Sequence, residues 1–190
     1  PAFYLGHHPD KQFISASASA TLAEDFGREV RNTIASPEYG ELFETRLAED
    51  SQAKDRWLTK QGGSYYAIGI GGDIMGRGAH VAIIDDPFGN MADAQSPAKR
   101  KAVWDWYTGT LYNRLEDKGA IIVINHRMHE DDLSGRLLAQ QAAGGDKWEV
   151  VEFKALSDEG EALWPEKYPI EALSRIQLNS MPQNWSSLYQ

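Results

Sequence analysis

An α/β fold built on a mostly parallel sheet, with helices on both faces, is what the sequence predicts, and three observations predict it. Two short apolar runs, Val81–Ile84 within HVAIIDDP and Ala120–Ile124 within AIIVIN, lack the alternation of a strand with one wet face. Such runs read as strands buried on both sides, the condition of parallel strands covered by helices. Helical stretches with apolar residues three or four apart lie around them. Each run also ends in a polar cluster: Asp85–Asp86 after the first, and His126–Arg127 with His129–Asp132 after the second. In a parallel sheet both clusters fall at the C-terminal edge, where open α/β sheets bind ligands.

The elements follow in chain order. Gln12–Ser17 (QFISAS) reads as a strand centred on Phe13 and Ile14, and the small residues Ala16–Ala20 permit close packing or a turn. Thr21 is placed to cap a helix, with Glu24 completing a capping box. That helix carries Leu22, Phe26, Val30 and Ile34 on one stripe and stops at Ser36–Pro37. A short helix over Glu38–Phe43 follows. Arg56–Thr59 and Ser64–Ile70 read as strands joined by the turn Gln61–Gly62–Gly63. Gly69–Gly78 holds five glycines in ten positions and contains no GxxxxGK[ST], so it is not a phosphate-binding loop. Phe88–Gln95 reads as a loop.

Ser96–Pro97 opens a helix that runs to Arg114 or Leu115. Its Val103, Trp104, Trp106, Tyr107, Leu111 and Tyr112 fit a core stripe better than a base-stacking platform. Gly119 is a turn before the second apolar strand. Leu133–Gln141 is a helix ended by Gly144–Gly145, Trp148–Phe153 a strand, and Ile170–Leu178 a last helix. There is no internal repeat.

The chain has 190 residues, 28 acidic against 19 Lys and Arg, and a formal net charge of -9. That suits one domain and argues against a surface built to wrap duplex DNA, so any DNA contact is local or made by other parts. Cysteine is absent, which excludes disulfides and thiolate chemistry. No apolar run approaches the roughly 20 residues that cross a bilayer. The chain begins at Pro1 and reads as a segment of a longer protein.

Two readings of Asp85–Asp86 stand side by side. Carboxylates delivered by a buried strand hold Mg²⁺ and water in nucleotide-hydrolysing domains; a solvated acidic turn before Pro87 is the plain alternative. His126 and Arg127 are chemically suited to a phosphate, because the guanidinium is a permanent, forked cation. The spacing of His126, His129, Glu130, Asp131 and Asp132 is not that of a zinc protease. The acidic pair Asp131–Asp132 equally suits the positive start of a following helix. Arg77, between Gly76 and Gly78, is either an exposed arginine able to reach a neighbouring subunit's phosphate or a DNA backbone, or an ordinary salt-bridge or surface residue.

Several segments taken together resemble one family, the large subunit of tailed-phage terminases, the motor that packages DNA into capsids. They are FYLGHHPDKQFISAS, FGREVRN, SPEYGELF, GGSYYAIGIGGDIMGRGAHVAIIDDP, WDWYTGTLYNRL, AIIVINHRMHEDDLSGRLL and WEVVEF followed by ALWPEKYP and WSSLYQ. Their linked order, across nearly the whole chain, carries the resemblance. It implies an additional-strand P-loop NTPase core with a Walker B strand at His80–Asp86. Asp85 then matches the Mg²⁺-linked aspartate, and Asp86 the catalytic carboxylate.

The AIIVINHRMHEDDL segment matches the motif that couples hydrolysis to movement, with His126 where many relatives have threonine and Met128 where they have tryptophan. By the same resemblance His126 and Arg127 would contact nucleotide, and Arg77 is a candidate trans-acting finger. The family's Walker A segment would precede FYLGHHPD, and its nuclease domain would follow Tyr189–Gln190. The 190 residues therefore correspond to a partial ATPase domain, with 155–190 a possible start of the linker, and are expected to hydrolyse ATP weakly or not at all alone. Implied partners are ATP, Mg²⁺, double-stranded DNA, the terminase small subunit, the portal protein and further copies in a ring, at the procapsid in the host cytoplasm. Two other classes remain: a protein-binding remnant of the packaging machinery, and a metal-dependent nuclease built on the His129–Asp132 cluster.

Overall fold

A computed structural model describes residues 1–189. It divides into two units, Pro1–Asn125 and His126–Gln190.

The first unit is a six-stranded sheet in the order β2-β3-β4-β1-β5-β6. Its strands are β1 (Gln12–Ser17), β2 (Leu47–Gln52), β3 (Arg56–Thr59), β4 (Ser64–Gly69), β5 (Ala79–Asp85) and β6 (Leu115–Ile124). The β4, β1, β5 and β6 strands run parallel, while β2 and β3 are added antiparallel at the β4 side. The sheet is thus mostly parallel, as expected, with the antiparallel strands confined to one side.

The strand β1 is central because its sequence is apolar or small on both faces. Phe13, Ile14, Ser15, Ala16 and Ser17 are all buried. One face is covered by α2 (Ala20–Ala35), which brings Ala23 and Ile34 into a cluster with Phe13, Trp57, Tyr65, Ala67 and Val81. Trp57 lies flat on Tyr65, ring centroids 4.9 Å apart at 4°, and its indole N–H donates to the Gly27 carbonyl at 3.1 Å. The opposite-face residues Ile14, Ala82 and Ile84 are also sealed from solvent.

The start of α2 departs from the expected capping box. Ser19, not Thr21, caps the helix, accepting from the Leu22 N–H at 3.2 Å. The buried stripe is accordingly Ala23, Gly27 and Ile34, while Leu22 is exposed. Small residues win because the helix lies close to the sheet: a Cβ on Gly27 would come within 2.6 Å of the Lys54 carbonyl oxygen.

Other differences have local reasons. Two elements form that the sequence does not announce, α1 (Ala2–His7) and the polar strand β2, LAEDSQ. The helix α3 (Pro37–Leu42) forms where a short helix is expected. Phe88–Gln95 is not all loop: Asn90 caps the short α4 (Met91–Gln95), its side chain accepting from Asp93 N–H at 2.9 Å. The helix α5 (Pro97–Trp106) continues through a π turn at Tyr107–Leu111 and a 3-10 turn at Tyr112–Arg114. Its Val103, Trp106, Tyr107 and Leu111 are buried, so that stripe is mainly core.

β6 begins earlier than expected, at Leu115, and the turn at Gly119 is a bulge within it. Leu115 pairs with Ala79 and Ala120 with Val81, and Lys118 takes φ 61° between them. β6 ends the sheet, and its Ile122 and Ile124 are 46% and 54% exposed. The run that reads as doubly buried is therefore bare on one side.

The second unit contains α6 (Leu133–Ala142), α7 (Ile170–Asn179) and α8 (Pro182–Tyr189). Trp148–Phe153 is not a strand; Val150, Val151 and Phe153 are exposed. Its β-favouring composition finds no strand to pair with, and β preference without a partner edge does not make a strand. Among the described residues no helix is long and apolar enough to cross a membrane.

Candidate functional site at the strand ends

The C-terminal edge of the parallel strands brings Asp85 and Asp86 beside the end of β1, while Arg77 lies just before β5, next to Gly78, where an added Cβ would meet Gln12 and Glu116 at the strand starts. Register sets Ser17 of β1 beside Gly69 of β4 on one side and Asp85 of β5 on the other. Asp85 closes β5 opposite Ile124 of β6. Side chains alternate across a strand, so Asp85 shares the α2-covered face with Val81 and Ile83. The hydroxyl of Tyr65 lies near enough to sense it. Burial, chiefly, holds that hydroxyl above the usual tyrosine range; a hydrogen bond with Ser15 works against the shift, and the negative charge of Asp85 adds to it.

Asp86 leaves the strand in an unusual conformation, with φ 41°. For a residue with a Cβ this left-handed region costs about 1 kcal/mol, and aspartate is among the few types that tolerate it. Two backbone bonds keep it there: Asp86 N–H donates to Ile124 O at 2.8 Å, and Ala18 N–H donates to Asp86 O at 3.2 Å. Held backbone strain of this kind concentrates at functional sites.

Arg77 sits on the glycine-rich loop between β4 and β5, where Gly71 and Gly76 take positive φ. Its guanidinium is stacked 3.9 Å over the Tyr66 ring. It is half-buried, not a freely waving side chain.

His126 and Arg127 begin the second unit, immediately after β6 and Asn125. Arg127 Nε donates to the buried Asp132 carboxylate at 2.9 Å, and the other Asp132 oxygen caps α6 by accepting from Gly135 N–H at 2.8 Å. Asp131 forms a two-pronged ion pair with Arg136, at 2.8 and 2.7 Å. The acidic pair is therefore occupied in starting a helix and binding arginines. Among the described residues no group of three or more His, Asp and Glu side chains is arranged to hold a metal ion. Asp132→Ala removes a cap, at a cost of about 1 kcal/mol, and strands Arg127. The expected result is faster amide hydrogen exchange across the first turn of α6, measured by mass spectrometry or NMR, with Asp132→Asn retaining most of the protection.

Ser17 escaped sequence reasoning. It lies in a run of serines and alanines with no motif to single it out, and only strand register reveals its neighbour. An open cavity of about 620 Å³ at the other end of α2, lined by residues including Ser36, Arg46, Glu49 and Lys60, offers less chemistry. Arg46 already donates to the carbonyls of Gly40, Phe43 and Thr45, and Lys60 pairs with Glu49.

The parallel strands, with α2 packed on one face and two antiparallel strands added at one side, define an α/β fold. No protein-family model matches the chain, and no curated protein matches it. Among solved structures, the crystal structure of the HK97 bacteriophage large terminase matches with a TM-score of 0.51 and 14% identity. The match covers 94% of this chain and 39% of that one, so the chain spans well under half the length of that terminase. At this identity the likeness speaks for the fold alone.

Proposed function

We propose that the chain is part of the ATP-hydrolysing motor of a phage terminase large subunit, which drives double-stranded DNA into a procapsid. The observation that carries this reading is the end of β5: adjacent carboxylates on an inner parallel strand, the second fixed in a left-handed backbone by bonds to both sides. The fold likeness to a phage large terminase supports it.

Mg²⁺ bound with ATP would supply charge neutralisation to the phosphates. Such an ion keeps several waters and needs only one or two carboxylates, which suits Asp85 with the unpartnered, buried Ser17 hydroxyl beside it. In this reading Asp85 retains the hydrated ion, and Asp86 orients the attacking water and accepts its proton. His126 and Arg127 respond to the phosphate, Arg127 by exchanging Asp132 for it. Arg77 leaves Tyr66 to reach a neighbouring subunit in a ring. The strand bearing the phosphate-binding loop is proposed to pair with the open edge of β6, covering Ile122 and Ile124. The small subunit and the portal protein are the proposed partners, at the procapsid in the host cytoplasm.

The test is steady-state ATPase of this chain beside a version extended upstream through a phosphate-binding loop. The expected result is turnover by the extended protein only. A folded extended protein that neither binds nor hydrolyses ATP overturns the motor reading, and a protein-binding role in the packaging machinery replaces it.

A further inference from the structure

Ser17 is the last residue of β1 and faces α2. Phe13, Ser15 and Ser17 alternate onto that face, as do Tyr65, Ala67 and Gly69 of β4 and Val81, Ile83 and Asp85 of β5. The packing of Phe13, Tyr65, Ala67 and Val81 with Ala23 and Ile34 of α2 fixes which face it is. Gly69 lets the start of α2 rest directly on the sheet edge, since a Cβ there would lie 2.8 Å from Ala20 N. The outcome is a Ser17 hydroxyl with no exposed surface and no hydrogen-bond partner.

A buried hydroxyl left without a partner is costly, and its presence in a native fold points to a water or ion that it serves. The other hydroxyls of this corner have duties: Ser15 bonds Tyr65, and Ser19 caps α2. Ser17 has none, and its neighbour across the ladder is Asp85. The positive end of α2 lies over Gly69, which disfavours a bare cation at Ser17 itself. A neutral water has no such penalty. It accepts from the Ser17 O–H, donates to the Asp85 carboxylate, and turns its remaining lone pair to a divalent cation.

We infer that Ser17 is a positioning residue for a divalent-cation site at Asp85, acting through one water held between its hydroxyl and that carboxylate. The inference rests on the reading of Asp85 as the magnesium-side carboxylate. Ser17 orients the water and sets the direction in which Asp85 presents its charge, as outer-shell partners do in metal sites generally.

The experiment is titration of the chain with Mn²⁺ alone, followed by electron paramagnetic resonance, for the wild type, Ser17→Ala, Ser17→Thr and Asp85→Asn. Each protein is also melted without metal. Asp85→Asn is expected to abolish binding, and Ser17→Ala to weaken it about 10–100-fold. Ser17→Thr, which keeps the hydroxyl, is expected to remain within a few-fold of wild type. Without metal, Ser17→Ala is expected to melt no lower than wild type, because no protein group bonds the hydroxyl. A merely structural serine gives the opposite, a lower melting temperature with affinity lost only as the fold is lost, and that overturns the inference. Unchanged Mn²⁺ affinity in Ser17→Ala, with binding lost in Asp85→Asn, also overturns it and leaves Asp85 in its role. No Mn²⁺ bound by the wild type, or binding indifferent to Asp85→Asn, overturns the inference and the reading of Asp85 together.

Discussion

Trp57→Ala is expected to destabilise the sheet unit by about 3–5 kcal/mol, the range for removing a large buried aromatic. Trp57 has no exposed surface and lies stacked on Tyr65 at 4.9 Å. Its indole N–H donates to the Gly27 carbonyl, an oxygen already engaged in the α2 ladder, so the truncation leaves a cavity and costs that carbonyl its second bond. Relaxation cannot close the gap cheaply, because Gly27 is already pressed against Lys54 O and Tyr65. Trp57→Phe separates the two contributions. It keeps a ring on Tyr65 and loses the hydrogen bond, so its cost should be clearly smaller. Urea unfolding followed by circular dichroism measures both. A loss under about 1 kcal/mol in Trp57→Ala, the ordinary value for a substitution away from such features, would contradict this account of the core.

That core was only partly legible in the sequence. The inner strands β1, β4 and β5 are readable because two-sided burial forces continuous apolar or small residues, though the same pattern in β6 marks a strand with one bare side. The stripe of α2 is readable as helix and right at Val30 and Ile34, but wrong by one position in its first two turns. Leu22 and Phe26 are the obvious apolar residues, yet close approach to the sheet selects Ala23 and Gly27 instead. β2 is invisible because an antiparallel edge strand made of LAEDSQ has no apolar run. Trp148–Phe153 misleads for the opposite reason: its composition favours a strand, and no edge receives it. At the strand ends, Asp85 and Asp86 are legible from one short motif. The role of Ser17 and the left-handed φ of Asp86 depend on pairings between distant segments, which no local pattern encodes.

The second large effect concerns Asp86. If Asp86 is the base that the proposed function makes it, Asp86→Asn in a protein extended to hydrolyse ATP is expected to lower kcat by about 10²–10⁴, the usual contribution of a positioned general base. Nucleotide affinity should change little. Asparagine is the informative substitution because, like aspartate, it tolerates the left-handed region in which residue 86 is held. The backbone bonds to Ile124 and Ala18 are then kept, and only the proton acceptor is removed. Asp86→Ala mixes the chemical loss with backbone strain and is a poorer test. Single-turnover hydrolysis with a separate measurement of nucleotide binding distinguishes the outcomes. Wild-type turnover in Asp86→Asn would transfer the base role away from this residue.

The strand order also has a kinetic consequence. β1 is made before β4 and β5 yet lies between them: Gln12 pairs with Ser64, and Phe13 with Val81. A hairpin can join β3 to β4, but none can pair β1 with either of its neighbours. Closing these long loops comes before any parallel contact rewards it, and such topologies fold slowly, in milliseconds to seconds. Until β4 and β5 arrive, the segment FISASA waits unpaired, and that interval is when the chain is most open to wrong partners.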